Sequence, residues 1–205
     1  INLPRKDMEN TKLSKMTVCQ YQLLNAIDDT LPVMEQNIYA VAAIKDMTYD
    51  EASKIKLRDF SIMIGDLGEF NIKLLEGLKI NSKVMLGGQL YHIEHKPDNL
   101  TSGQLLDVIN IRSKHAGEGV KVMDLLLAAI SKPNGKNYGD DNLNINERAA
   151  LMRGAELQSV WNIFVFFWNL WNDYLSSTED SLEKWMQETL TMSKEILDKD
   201  GDSLA

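Results

Sequence analysis

Val160-Trp161-Asn162-Ile163-Phe164-Val165-Phe166-Phe167-Trp168-Asn169-Leu170-Trp171 is the most aromatic stretch of the chain, and its reading decides the fold. It lies in an organising stretch from Asn144 to Trp185, where Asn144 followed three residues later by Glu147 has the N-cap and N3 pattern that opens a helix, and a long helix is predicted because nothing resembling a stop appears before Ser176-Ser177-Thr178. Gln158, Asn162, Asn169 and Asn172 return at spacings of four, seven and three, so they form one polar stripe on an otherwise apolar cylinder. Trp161, Phe164, Trp168 and Trp171 form a ridge on the same cylinder, with Phe167 beside it. A helix greasy over so much of its circumference must be covered, either by the rest of the protein or by a partner.

Working outward, 205 residues are enough for one domain with a real core, or for two closely packed halves. The single Cys19 excludes an internal disulfide framework, and no CxxC or other zinc-type cluster occurs. A formal charge of -8 works against binding a phosphate backbone, which needs a basic face to release counterions. The expectation is therefore no nucleic acid. No signal-peptide pattern opens the sequence, and the aromatic run is about a dozen residues where a membrane span needs roughly 20, so a soluble protein is expected. The first residue is Ile1, which fits a start trimmed or processed from a longer chain.

Four regions are expected: an N-terminal arm over 1–15, a first helical half over 16–80, a β-hairpin with the second helical half and the aromatic helix over 81–197, and an acidic tail over 198–205. Thr17-Val18-Cys19-Gln20 and Thr48-Tyr49-Asp50-Glu51 both read as capping boxes, in which the N-cap hydroxyl and the N3 side chain satisfy each other's backbone amides. Val33 to Ile44 continues as an Ala- and Ile-rich helix, and the apolar pattern after Thr48 runs to Gly65 and on toward Leu78. Lys83-Val84-Met85-Leu86 and Gln89-Leu90-Tyr91-His92-Ile93 flank Gly87-Gly88, the signature of a two-residue β-hairpin. Thr101-Ser102-Gly103-Gln104 opens another capped helix, Val120 to Ile130 a further apolar one, and Tyr138 to Asn142 a loop or small second hairpin.

An internal similarity links the halves. Thr17, Gln20 and Ile27 match Thr101, Gln104 and Ile111 at a constant offset of 84, and Ala42-Ala43-Ile44 matches Ala128-Ala129-Ile130 at an offset of 86. The fold class expected is mainly α: a helical domain with a duplicated helix pair, one small β-hairpin, and a long aromatic helix near the C-terminus.

This order of elements carries a resemblance. A Thr-x-x-Gln helix, an Ala-rich helix, a Gly-turn hairpin with Tyr91, a Leu-Thr-x-x-Gln-Leu-Leu-Asp helix (Leu100 to Asp107), a Leu-Leu-Ala-Ala-Ile-x-x-Pro end (Leu126 to Pro133) and a helix with Phe166-Phe167 resemble small proteins of tailed bacteriophages. Those proteins, including ones of crAss-like phages, are encoded near tail and virion genes and are often labelled tail assembly chaperones or virion proteins. The resemblance implies a non-enzymatic structural or assembly role, with other phage structural proteins or a second copy as partners. It places the protein in the virion, or in the host cytoplasm during assembly. The alternative it implies is a tail assembly chaperone not retained in the particle.

Candidates for chemistry are few. His92 and His95 flank Ile93 and Glu94 on an expected strand, where positions three apart point to opposite faces, so they are assigned no shared metal. A small metal-dependent enzyme using His92 and His95 is the rival reading. His115 falls in an expected turn, and Cys19 in the first turn of a helix, where a half-buried structural thiol is the plain reading. The acidic tail from Asp198 lacks the glycine position and closing glutamate of a calcium loop. No GxSxG, P-loop, GxGxxG or HExxH occurs, so no catalytic residue, cofactor or metal is expected. The polar stripe of the aromatic helix lacks the Lys and Arg of an interfacial membrane helix. Its aromatic face, Trp161, Phe164, Phe167, Trp168 and Trp171, is the candidate partner interface, because Trp and Phe dominate interface anchors; the competing reading makes them the domain's own core.

Overall fold

The computed structural model describes residues 15–68, 75, 82–115 and 117–169. The chain divides into two compact units, Ile1–Val165 and Phe166–Ala205. The expected arm, the helical signal toward Leu78, Trp171, Asn172, Trp185 and the acidic tail lie outside the described residues.

Within the first unit the sequence order is α1 (Val18–Asn25), α2 (Val33–Lys45), α3 (Tyr49–Ser53), α4 (Leu57–Gly68), β1 (Lys83–Leu86), β2 (Gln89–Ile93), α5 (Ser102–Lys114), α6 (Met123–Ala129), β3 (Ser131–Pro133) and α7 (Ile145–Met152). A further helix, α8, begins at 157 and includes every described residue to 169. The protein is mainly helical, with one small antiparallel sheet. All four capping boxes form: Thr17 with Gln20, Thr48 with Glu51, Thr101 with Gln104, and Asn144 with Glu147. Each links groups three residues apart, so the pairing is settled locally.

β1 and β2 make the hairpin at the expected register, Val84 opposite Tyr91 and Leu86 opposite Gln89. Gly87 and Gly88 take φ of +54° and +80°, the left-handed pair that matches strand twist in a two-residue turn. The hairpin is not alone: β3 joins β2, with Ile93 opposite Ser131 and Tyr91 opposite Pro133. Pro133 is accommodated because β3 is an edge strand. Val84, Leu86, Tyr91 and Ile93 are buried on the inner face.

α6 is buried along nearly its whole length. Met123, Asp124, Leu126, Leu127, Ala128 and Ala129 are all buried, and α6 packs against α1, α5, α7 and β3. A seven-residue helix apolar nearly all round finds partners on every side. A second cluster lies to one side, where Val41 and Ala42 of α2 meet Ala52 of α3 and Phe60 of α4.

The long helix expected from Asn144 is interrupted. α7 ends at Met152, and Gly154 and Ala155 turn back through hydrogen bonds to the Leu151 and Met152 carbonyls. The backbone of the turn is also held from outside. Val18 N–H donates to the Ala155 carbonyl, Cys19 N–H to Arg153, and Leu157 N–H to Met16. The apolar stretch Thr48 to Gly65 is likewise two helices, α3 and α4, parted at Lys54–Lys56.

The first helices of the two pairs share a Thr-x-x-Gln capping box, but the pairs differ in length. α1 and α2 have 8 and 13 residues, whereas α5 and α6 have 13 and 7, with a 3-10 turn at Gly119–Val122 between them. Their internal wiring differs too. Gln20 Nε2 donates to the Ile44 carbonyl at 2.9 Å, but the equivalent Ile130 carbonyl accepts from Glu94 N–H, and Gln104 Nε2 is buried with no hydrogen-bond partner among the described residues.

Candidate functional site

Of the expected ridge on the aromatic helix, Phe164 is buried, as is Phe167 beside it. In the first unit Leu157, Val160 and Ile163, three residues apart, are buried together with Phe164, while Trp161 is half-buried. Trp161 stacks edge-on against Tyr21 of α1, with centroids 5.4 Å apart, and lies 5.9 Å from Phe164. Of the second unit's described residues, Phe167 is buried, Trp168 half-buried and Phe166 exposed. Of the five expected interface residues, Phe164 and Phe167 are thus inaccessible here, Trp161 and Trp168 present part of their surface, and Trp171 lies outside the described residues.

Buried Asp141 and Asp124 are each held in a structural ion pair. Arg148, 2% exposed, makes two hydrogen bonds to Asp141, Nη2 to Oδ1 at 2.9 Å and Nε to Oδ2 at 3.1 Å. Its guanidinium also lies 4.5 Å from the centre of the Tyr138 ring. Burial pushes the Asp141 carboxyl up, but the hydrogen bond and charge of Arg148 outweigh it and hold the group below its ordinary range. Burial, reinforced by its hydrogen bond to Asp107, raises the Tyr138 phenol to about 12. Together these contacts fasten the polar loop before α7 to α5 and α7. A second pair joins Arg153 Nε to buried Asp124 at 2.7 Å, with Gln22 of α1 donating to the same carboxylate.

The histidines are dispersed. His92 Nε2 lies 3.5 Å from buried Glu94, whose other oxygen accepts from the His95 and Lys96 backbone amides. His115 pairs instead with Glu118 at 3.2 Å. Among the described residues no three His, Cys, Asp or Glu side chains are grouped to hold a metal ion, and no helix is long and apolar enough to cross a membrane.

Two of the first unit's surface clefts flank α2. The smaller, about 220 Å3, opens beside Gln20, Val41 and Met63 and carries mixed charge from Lys15, Lys45 and Asp66. The larger, about 410 Å3, lies between the end of α1 with the turn after it (Leu23, Ile27, Asp28, Leu31) and one face of α2 with its exit (Tyr39, Ala43, Asp46, Met47). Tyr39, Ala42, Ala43 and Asp46 recur at the helical spacing of i, i+3, i+4, i+7, and the two alanines are short enough to leave the floor recessed. Leu23 and Tyr39 remain 48% and 43% exposed at its sides.

Both charged groups lining this larger groove are aspartates. Asp28 Oδ1 accepts from the Thr30 amide and hydroxyl, hydrogen bonds that draw its carboxyl below the ordinary range. Asp46 caps α2 in the left-handed region, φ 53° and ψ 48°, where glycine or asparagine is the common choice. Its carboxylate has no hydrogen-bond or ion-pair partner among the described residues. In the sequence Ala42-Ala43 stands out as a mark of duplication, and the same two small residues, set between Tyr39 and Asp46 on one helix face, are the signal of a recess. Compared with known protein families, curated proteins and solved structures, the chain matches none.

Proposed function

We propose that this protein is a non-enzymatic interaction component of a tailed-bacteriophage virion, joining other phage structural proteins or a second copy of itself. The observation that carries the interaction role is the recessed apolar groove on α2, flanked by exposed Leu23 and Tyr39 and rimmed by Asp28 and Asp46. Apolar surface gathered in a concavity and edged by polar groups is the usual form of a protein-binding site. The phage assignment rests on the sequence resemblance described above. The half-exposed aromatic surface at Trp161 supports the same reading, since aromatic side chains anchor interfaces at low entropic cost.

Mass spectrometry of purified particles and of infected cells tests the proposal. A virion component is recovered from particles in stoichiometric amount. Recovery from infected cells with absence from particles identifies the alternative, a tail assembly chaperone. Absence from both refutes the phage assignment.

A further inference from the structure

We propose that the groove between α1 and α2 is a docking site for an amphipathic helix of another protein, one that carries Lys or Arg beside its apolar face. This deepens the interaction reading above and rests on it. The charge of the groove selects the partner: both charged side chains in its lining, Asp28 and Asp46, are acidic, and the Asp46 carboxylate is unpaired among the described residues. A second copy of this chain is a poor occupant, because each copy carries a formal charge of -8 and mutual approach is repulsive. The smaller cleft on α2, with Lys15 and Lys45 in its lining, lacks this bias.

The molecule itself shows how a comparable helix is covered. α6 ends in the same Ala-Ala-Ile sequence as α2, and it packs against α7, an amphipathic helix whose Arg148 is held by a loop aspartate, Asp141. On α2 the groove beside Ala42 and Ala43 stays open, with loop aspartates at its rim. An incoming helix with apolar side chains at i, i+3, i+4 and i+7 would set them between Leu23 and Tyr39, and a flanking cation would reach Asp28 or Asp46. The volume of about 410 Å3 is near the lower end of the range for ligand pockets and suits the anchors of one helix face.

The test uses the full chain and a fluorescent designed peptide of about 18 residues, long enough to hold a helix, with Leu at i, i+3, i+4 and i+7 and flanking Lys. A control peptide carries Glu in place of every Lys. Anisotropy titration should show binding of the Lys peptide and much weaker binding of the Glu peptide, with the difference shrinking at high salt. The double substitution Asp28→Asn, Asp46→Asn should weaken the Lys peptide about fivefold, the scale expected for two exposed ion pairs. Asn keeps the acceptor that Thr30 uses and tolerates the left-handed backbone at 46, so an unchanged Tm certifies the fold. Leu23→Ser should weaken both peptides. Equal affinity for the two peptides, or no loss on the double substitution, overturns the proposal. A concentration-dependent dimer abolished by Leu23→Ser, seen by analytical ultracentrifugation, also overturns it in favour of a second copy. These results are independent of whether the protein is found in particles.

Discussion

Replacing Arg148 by Met should be among the most damaging single changes outside the apolar core, and its magnitude can be worked from the local geometry. Arg148 and Asp141 side chains are 2% and 3% exposed, so neither charge is relieved by solvent when the other is lost. Methionine matches much of the volume of the arginine stem, which isolates the charge effect. What remains is the Asp141 carboxylate, with only long contacts to the Tyr91 hydroxyl at 3.5 Å and the Leu143 amide at 3.4 Å. Removing one partner of a buried pair costs about 3–5 kcal/mol. Against a typical stability of about 5–15 kcal/mol this is a large fraction, and for a chain of this size it lowers Tm by roughly 6–20 °C. Urea denaturation followed by far-UV circular dichroism measures it. The double variant Arg148→Met, Asp141→Leu should recover much of the loss, because no buried charge is then stranded. The pH dependence follows from the sign of the shift. Asp141 is depressed below its ordinary value of 3.8, so the pair's contribution is complete above that value and is lost as pH falls through the lower folded value. The variant should therefore show a shallower acid limb than the wild type. A loss below about 1 kcal/mol for Arg148→Met, or a double variant no better than the single, would refute the reasoning.

At the alkaline end, Tyr138 is raised from 10 to about 12, so its contribution is intact below pH 10 and is lost as pH rises toward 12. Tyr138→Phe should flatten that part of the stability profile, measured by denaturant midpoints at stepped pH. Ile163→Ala should cost about 2–5 kcal/mol, since Ile163 is fully buried, and equilibrium unfolding should rank it well above the exposed Ile62→Ala. Thr101→Ala should cost about 1 kcal/mol by removing the cap of α5, and Thr101→Ser should restore it. Thermal melts of the pair decide whether the cap or the methyl group matters.

How much of this was legible in the sequence divides along the range of the interactions. The caps at Thr17, Thr48, Thr101 and Asn144 and the Gly87-Gly88 turn involve groups within a few residues of each other, so the local chain specifies them and the sequence alone determined them. The mainly helical class and the hairpin followed directly. The break after Met152 did not, because it is held partly by backbone bonds to Met16, Val18 and Cys19, more than a hundred residues earlier. β3 is three residues long and is a strand only because β2 lies beside it. On α8 both the Trp161 ridge and the Ile163 ridge are apolar at helical spacing, and only the tertiary structure decides that Val160 and Ile163 are fully buried while Trp161 is half-buried. Of the groove on α2, the sequence carries only the two small residues between Tyr39 and Asp46. The groove exists because two alanines on one helix happen to face the end of another, and only the placement of α1 beside α2 turns missing side-chain volume into a concavity.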